Sequence, residues 1–219
     1  MFHVEHERAL REFLVTSTSG LSIRLTEEQA EQFFIYLTQL LAWNKTINLT
    51  SITDPYEIIS KHFVDSLTAL NAFKFPSQGV VVDVGSGAGF PGIPLKIVRR
   101  DLRVVLVEPS QKKCSFLHFI VGALKLEQVS IYPGELRQCA AQDPSVLADV
   151  VVLRALRFDE IADAAARILK PQGHLLLYRT EPAEERLSQA FHLESHYHFS
   201  LPLNHGNRVV TVLAKSASI

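Results

Sequence analysis

The spacing of apolar residues changes once along the chain. Up to about residue 75 they recur every three to four positions: Ala30, Phe33, Phe34, Leu37, Leu40 and Leu41 form one stripe, and Ile58, Ile59, Phe63, Leu67 and Leu70 form another. Each stripe follows a helix-start signal. Thr26 precedes Gln29 at the capping-box spacing. Asp54-Pro55-Tyr56-Glu57 sets an acid cap before a proline at the first helical position. Phe75-Pro76-Ser77-Gln78-Gly79 breaks the pattern, and from Val80 onward short β-branched runs alternate with helical ones. Strands are predicted near 80–84, 103–108, 129–132, 149–154 and 173–178, with helices between them, including 93–99, 110–124 and 158–169. Such alternation implies a parallel sheet with helices on both faces. The last two strand-like runs, 195–201 and 208–214, are separated by a short turn-rich segment and read as a hairpin, so an antiparallel pair should close one sheet edge. The predicted organisation is a helical extension over residues 1–75 and an α/β domain over residues 76–219.

Composition narrows the picture. The chain of 219 residues is 47% hydrophobic, ample for one ordinary core, and its formal net charge is −1. There is no global basic signature, so a nucleic-acid partner needs a local patch. The two cysteines, Cys114 and Cys139, form neither a metal spacing nor a disulfide framework and suit a reducing, cytoplasmic setting. The histidines show no metal spacing, no apolar run approaches a membrane span, and no protein partner is evident.

Candidate chemistry concentrates at Val81-Val82-Asp83-Val84-Gly85-Ser86-Gly87-Ala88-Gly89-Phe90-Pro91-Gly92. A strand runs into alternating glycines that let the backbone turn sharply and a ligand approach it closely. Open α/β sheets hold nucleotide-like ligands there, beyond the carboxyl ends of their strands. Gly87 to Gly92 matches the dinucleotide fingerprint, but late, because Gly85 already ends the strand. The order acid-x-Gly-x-Gly-x-Gly instead resembles motif I of class I methyltransferases, which bind S-adenosylmethionine. Asp83 is placed to orient the polar amino-acid end of that ligand, and Glu108, ending the next strand, to accept its ribose hydroxyls. A nicotinamide-dependent oxidoreductase and a non-catalytic RNA-binding protein with a vestigial pocket remain the alternatives.

Over nearly its whole length the chain resembles the small-subunit (16S) ribosomal RNA methyltransferase G family, also called glucose-inhibited division protein B. The resemblance rests on Trp43-Asn44-Lys45-Thr46-Ile47-Asn48-Leu49-Thr50-Ser51, on His62-Phe63-Val64-Asp65-Ser66-Leu67, and on motif I with its Pro-Gly-Ile-Pro tail. Arg154-Ala155 and the segment from Arg208 to Lys215 complete it. It implies a Rossmann-like class I fold of mostly parallel seven-stranded sheet with a C-terminal antiparallel hairpin. It also implies methylation of N7 of one guanine in 16S rRNA, or in a small-subunit assembly particle, with S-adenosylhomocysteine as product. Carried over residue by residue, Gly85, Gly87, Gly89 and Phe90 belong to the cofactor loop, Gly134 and Glu135 to the adenine end, and Arg154 to the cofactor site. Arg154, Asn48, His62 and Asp65 position the target guanine, and Lys45, Lys61, Arg179 and Arg208 bind RNA. Two departures stand out: Pro133-Gly134 precedes Glu135 where the family has Arg-Ala, and Arg179 replaces a lysine.

Guanine N7 has an in-plane lone pair and no proton, so the reaction needs positioning rather than a general base. Phe90, Tyr178 and Phe158, near strand ends, are candidates to stack a flipped base. His62 and Asp65, three apart on one helix, share a face and either contact RNA or fasten the extension to the sheet. Asn48 with Thr50 equally suits a turn leading to Asp54. Lys96, Arg99, Arg100 and Arg103 form a second basic run, open between phosphate contacts and a solvated helix face.

Overall fold

The computed structural model describes residues 2–142, 147–182 and 189–217. Helices α1 (Phe2–Gly20) and α2 (Glu27–Asn44) open the chain. The predicted box at the start of α2 forms, with the Thr26 hydroxyl accepting from the Gln29 amide and the Gln29 side chain accepting in return from the Thr26 amide. Core positions of α2 are Phe33, Tyr36, Leu37 and Leu40; Phe34 lies outward beneath the Arg11 guanidinium, and Tyr36, absent from the predicted stripe, is fully buried.

The second stripe folds less regularly than its period suggests. Asp54 caps α3 (Pro55–Ile58), but Ile59–Val64 then widens into a π-helical turn before two short helices, α4 (Asp65–Leu67) and α5 (Ala69–Ala72). Beyond it the strands and helices alternate: β1 (Val80–Val84), α6 (Gly92–Val98), β2 (Arg103–Val107), α7 (Gln111–Ala123), β3 (Val129–Tyr132), α8 (Leu136–Gln142), β4 (Ala148–Arg154), α9 (Phe158–Ile168) and β5 (Leu169–Arg179). The chain ends in the hairpin of β6 (Phe191–Ser200) and β7 (Asn207–Lys215). The sheet order is β3-β2-β1-β4-β5-β7-β6. The first five strands run parallel, and β7 pairs antiparallel with both β5 and β6. This is the predicted class I methyltransferase architecture with helices ahead of the sheet. β5 begins four residues earlier than the expected 173, directly after α9 and through a register shift against β4.

Alternation along the strands sorts side chains between two cores. Val81, Val104, Leu106, Val150, Val152, Leu176, Tyr178, Val210 and Val212 pack with α1, α2 and the helices up to α5. Val82, Val84, Val105, Val107, Val151, Leu153, Leu175 and Leu177 pack on the opposite face, with α9. The period of two then aims Asp83, Arg154 and Arg208 at the face covered by the N-terminal helices. In the second basic run Lys96 is buried and donates to the carbonyls of Arg100 and Leu102, Arg99 pairs with Asp101 and Arg100 with Glu28, while Arg103 is exposed at the start of β2.

Candidate functional site

The glycine loop is shaped by what it must avoid. Gly85 ends β1 with φ +67°, in the left-handed region, and a Cβ there would stand 2.5 Å from Leu156 Cδ1. Gly92 permits the close approach of α6 to β1: its amide donates to Asp83 Oδ2 at 2.8 Å, and a Cβ on it would meet that same oxygen at 2.8 Å. Asp83 is fully buried, and its second oxygen, Oδ1, has no hydrogen-bond partner. Burial outweighs the Gly92 amide and pushes this carboxyl up to about 7. Glu108 folds its carboxylate back under the loop, Oε2 accepting from the Gly87 amide at 2.8 Å and Oε1 from the Ser110 amide at 2.9 Å. Each oxygen keeps a second lone pair for another donor.

Over the carboxyl ends of β1 and β2 opens a cavity of about 370 Å³. Its wall includes Gly85, Val107, Pro109, Gly134, Leu136 and Leu156, with Glu135 at the rim. Apolar sides that admit a flat heterocycle, a carboxylate beneath, and an orphaned buried acid at the neighbouring strand end fit the nucleoside and amino-acid ends of the expected cofactor. Of the predicted cofactor residues, Gly85, Gly134 and Glu135 line the cavity, whereas Asp83, Gly87 and Glu108 are not part of its wall. Gly89 and Phe90 serve packing. A Cβ on Gly89 would stand 2.4 Å from Ile93 and 2.8 Å from Tyr36. Phe90 is sandwiched between His62 (centroids 4.6 Å apart, planes 15° apart) and Tyr36 (5.2 Å, 18°).

That sandwich corrects the stacking expectation. Phe90 has both faces covered, Tyr178 is buried and donates its hydroxyl to the Ser66 carbonyl, and Phe158 packs edge-on against Phe191 in the α9 core. None is a free platform for a base.

A second, wider cavity of about 610 Å³ lies on the face of the N-terminal helices. It is lined by His62, Asp65, Arg154, Arg179, Arg208 and Lys61, among others. Arg154, at the end of β4, organises it. Its Nη1 donates to the Lys61 carbonyl at 3.1 Å and to Asp65 Oδ2 at 3.2 Å, and its Nη2 to His62 Nδ1 at 3.0 Å. A guanidinium only donates, so Nδ1 must accept; the neutral imidazole then carries its hydrogen on Nε2 and gives it to Thr50 Oγ1 at 2.9 Å. Burial, with the Arg154 charge adding to it, lowers His62 to about 3, which keeps the ring neutral. Asp65 is pushed up by burial and pulled back by Arg154 and Arg208.

Asn48 and Lys45 lie outside this wall. Both side chains are exposed, Lys45 as the C-cap of α2. The turn role suggested for Asn48 falls to Asn44 instead, whose Oδ1 accepts from the amides of Leu49 and Thr50 and whose amide donates to the Thr50 carbonyl. Thr50, so held, reaches His62 and also accepts from the Ile52 amide. Asn44 is the residue that sequence reasoning passed over; the turn expected of Asn48 with Thr50 ahead of Asp54 is built instead by Asn44 with Thr50. The turn after β4 separates the cavities: Arg154 and Ala155, the latter at φ +60°, line the second, and Leu156 the first. Among the described residues no group of three or more His, Cys, Asp or Glu side chains is arranged to hold a metal ion, and no helix is long and apolar enough to cross a membrane.

Comparison with known proteins agrees with this architecture. The family model described as rRNA small subunit methyltransferase G matches residues 29–209. The chain is 35% identical over 206 residues to a Ribosomal RNA small subunit methyltransferase G of Lachnoclostridium phytofermentans, covering 90% of this chain and 85% of that one. It is 40% identical over 174 residues to a protein of the same name from Desulfitobacterium hafniense, covering 78% and 71%. Among solved structures it resembles a SAM-dependent methyltransferase from Aquifex aeolicus with a TM-score of 0.56 at 15% identity, over 77% of this chain and 97% of that one, a likeness of fold.

Proposed function

The chain belongs to the rRNA small subunit methyltransferase G family, and from that premise we propose that it transfers the methyl group of S-adenosylmethionine to N7 of one guanine in 16S rRNA. The substrate is the RNA itself or a small-subunit assembly particle, met in the cytoplasm, and the second product is S-adenosylhomocysteine. One observation carries the reading: two cavities of different chemistry lie on either side of the turn after β4, an apolar one over the glycine loop and a cationic one on the face of the N-terminal helices.

When bound, S-adenosylmethionine supplies an electrophilic methyl on a sulfonium sulfur. Gly85, Gly134 and Glu135 would hold its nucleoside, Glu108 its ribose hydroxyls, and the orphaned Asp83 Oδ1 its ammonium; Gly87, Gly89 and Phe90 keep the loop in shape. In the second cavity Arg154, His62 and Asp65 form one hydrogen-bonded unit that orients the base. His62 is neutral with both ring nitrogens engaged, so it is no proton acceptor, and N7 alkylation asks for none. The contribution of these residues is orientation and exclusion of water, which supply effective molarity. Lys61, Arg179 and Arg208 meet phosphates at the rim, with Lys45 as an outlying contact; Asn48 has no part in orienting the base in this arrangement.

The test is transfer of labelled methyl from S-adenosylmethionine to small-subunit RNA by the purified protein, followed by N7-specific cleavage and primer extension. A single stop at one guanine is expected. Label found on an exocyclic nitrogen or a 2′-hydroxyl would overturn the proposed chemistry.

A further inference from the structure

We propose that Asp65 selects guanine, its Oδ1 accepting hydrogen bonds from the N1–H and the N2 amino group of the target base. The inference rests on the reading that the second cavity receives that base. Asp65 is 4% exposed, yet Oδ1 has no hydrogen-bond partner. Its other oxygen is held by Arg154, and Arg208 Nε stands 3.9 Å from Oδ1, beyond hydrogen-bond reach. A buried carboxylate oxygen with no donor is costly, and a donor arriving with a ligand removes that cost.

The surroundings say which donor. Lys61, Arg179 and Arg208 line the same cavity and suit phosphates, whereas a carboxylate among them repels a phosphate and serves only a group that brings hydrogens. Guanine alone of the four bases carries a ring N–H and an amino group side by side on its Watson–Crick edge; adenine and cytosine present an unprotonated ring nitrogen there, and uracil has no amino group. One oxygen with two free lone pairs matches two adjacent donors. Those donors lie across the purine from N7, so engaging them leaves N7 free to attack. The acceptor is also fixed in place: Arg154 clamps Oδ2, and the Thr68 hydroxyl donates to the Asp65 carbonyl at 2.6 Å.

The experiment pairs Asp65 variants with an RNA in which inosine, lacking only the N2 amino group, replaces the target guanosine. Wild-type enzyme should lose about ten- to a hundredfold in kcat/KM on the inosine RNA. Asp65→Ala should be slow on guanosine RNA and lose nothing further on inosine. In Asp65→Asn, Arg154 holds the amide oxygen and turns the amide nitrogen to the base, so inosine RNA should become the better substrate; this variant serves if the alanine protein does not fold. S-adenosylmethionine binding, followed by calorimetry, reports that each variant is folded. If Asp65 merely holds Arg154, both RNAs slow by one common factor and the inosine penalty persists, which overturns the proposal, as does a wild type indifferent to inosine. A wild type that leaves N7 of the guanosine RNA unmethylated would instead refute the proposed function.

Discussion

Arg154 shows how much one side chain can be asked to do. Three of its hydrogen bonds end on groups that face the second cavity, and one of them neutralises a carboxylate that is almost fully buried. Removing one partner of a buried pair leaves the other charge uncompensated, so Arg154→Ala should cost about 3–5 kcal/mol of stability in urea unfolding as well as turnover. Arg154→Lys should recover part of the stability and little of the turnover, because a single ammonium cannot span Asp65, His62 and the Lys61 carbonyl. Asp83 makes a prediction of a different kind. Its carboxyl, pushed up to about 7, binds its proton more tightly in the folded protein than in the unfolded chain. Its contribution to stability is therefore complete below about 4 and lost as the pH rises through 7. An ammonium docking on Oδ1 favours the ionised form, so S-adenosylmethionine binding between these limits should release a proton. Calorimetry near pH 6 in buffers of different ionisation enthalpy measures that release, and Asp83→Asn should abolish it. The place of Asp83 was legible in the sequence, since an acid near the end of a β-branched run, just ahead of alternating glycines, stands where open α/β sheets take their ligands. Its burial and its orphaned oxygen were not, because they depend on how closely α6 approaches β1.

Secondary-structure elements were legible where one periodicity prevails. The strands β1, β2, β3 and β4 sit within a residue or so of their predicted bounds; β1, β2 and β4 are short β-branched runs inside the sheet, and β3 is a short run at its edge. The π-helical turn at Ile59–Val64 was not legible, since an i→i+5 turn leaves no mark in a three-to-four-residue apolar period. It brings His62 and Asp65 to one guanidinium, at a position where such turns often accompany function. The seam between β1 and α6 depends on Gly92. Gly92→Ala would set a Cβ 2.6 Å from Leu106 and 2.8 Å from Asp83, and should destabilise by about 1–3 kcal/mol while tilting α6 away from the strand. A lower urea midpoint with an unchanged m-value is the expected signature.

At the scale of the whole molecule, charge and topology pull in different directions. A net charge of −1 gives no long-range attraction to RNA, so the proposed function assigns binding to the local cluster of Lys61, Arg179 and Arg208. Arg179→Ala should weaken RNA binding across sequences and reduce the slope of log affinity against log salt by about 1, measured by filter binding at several salt concentrations. That this cluster surrounds one cavity could not be read from residues so far apart along the chain; it required strand order and the parity of side chains along β4 and β7. The N-terminal helices reach the site through the ring stack of Tyr36, Phe90 and His62, so they are part of its wall as well as of the core.

Threading of β7 between β5 and β6 carries a consequence in time. A protein made from its amino end forward has the glycine turn and Arg154 in hand well before Arg208, which arrives only with the last strand. The cavity over the glycine turn is thus framed early, while the wall of the second one is completed only when the final hairpin slots home and brings Arg208 to it.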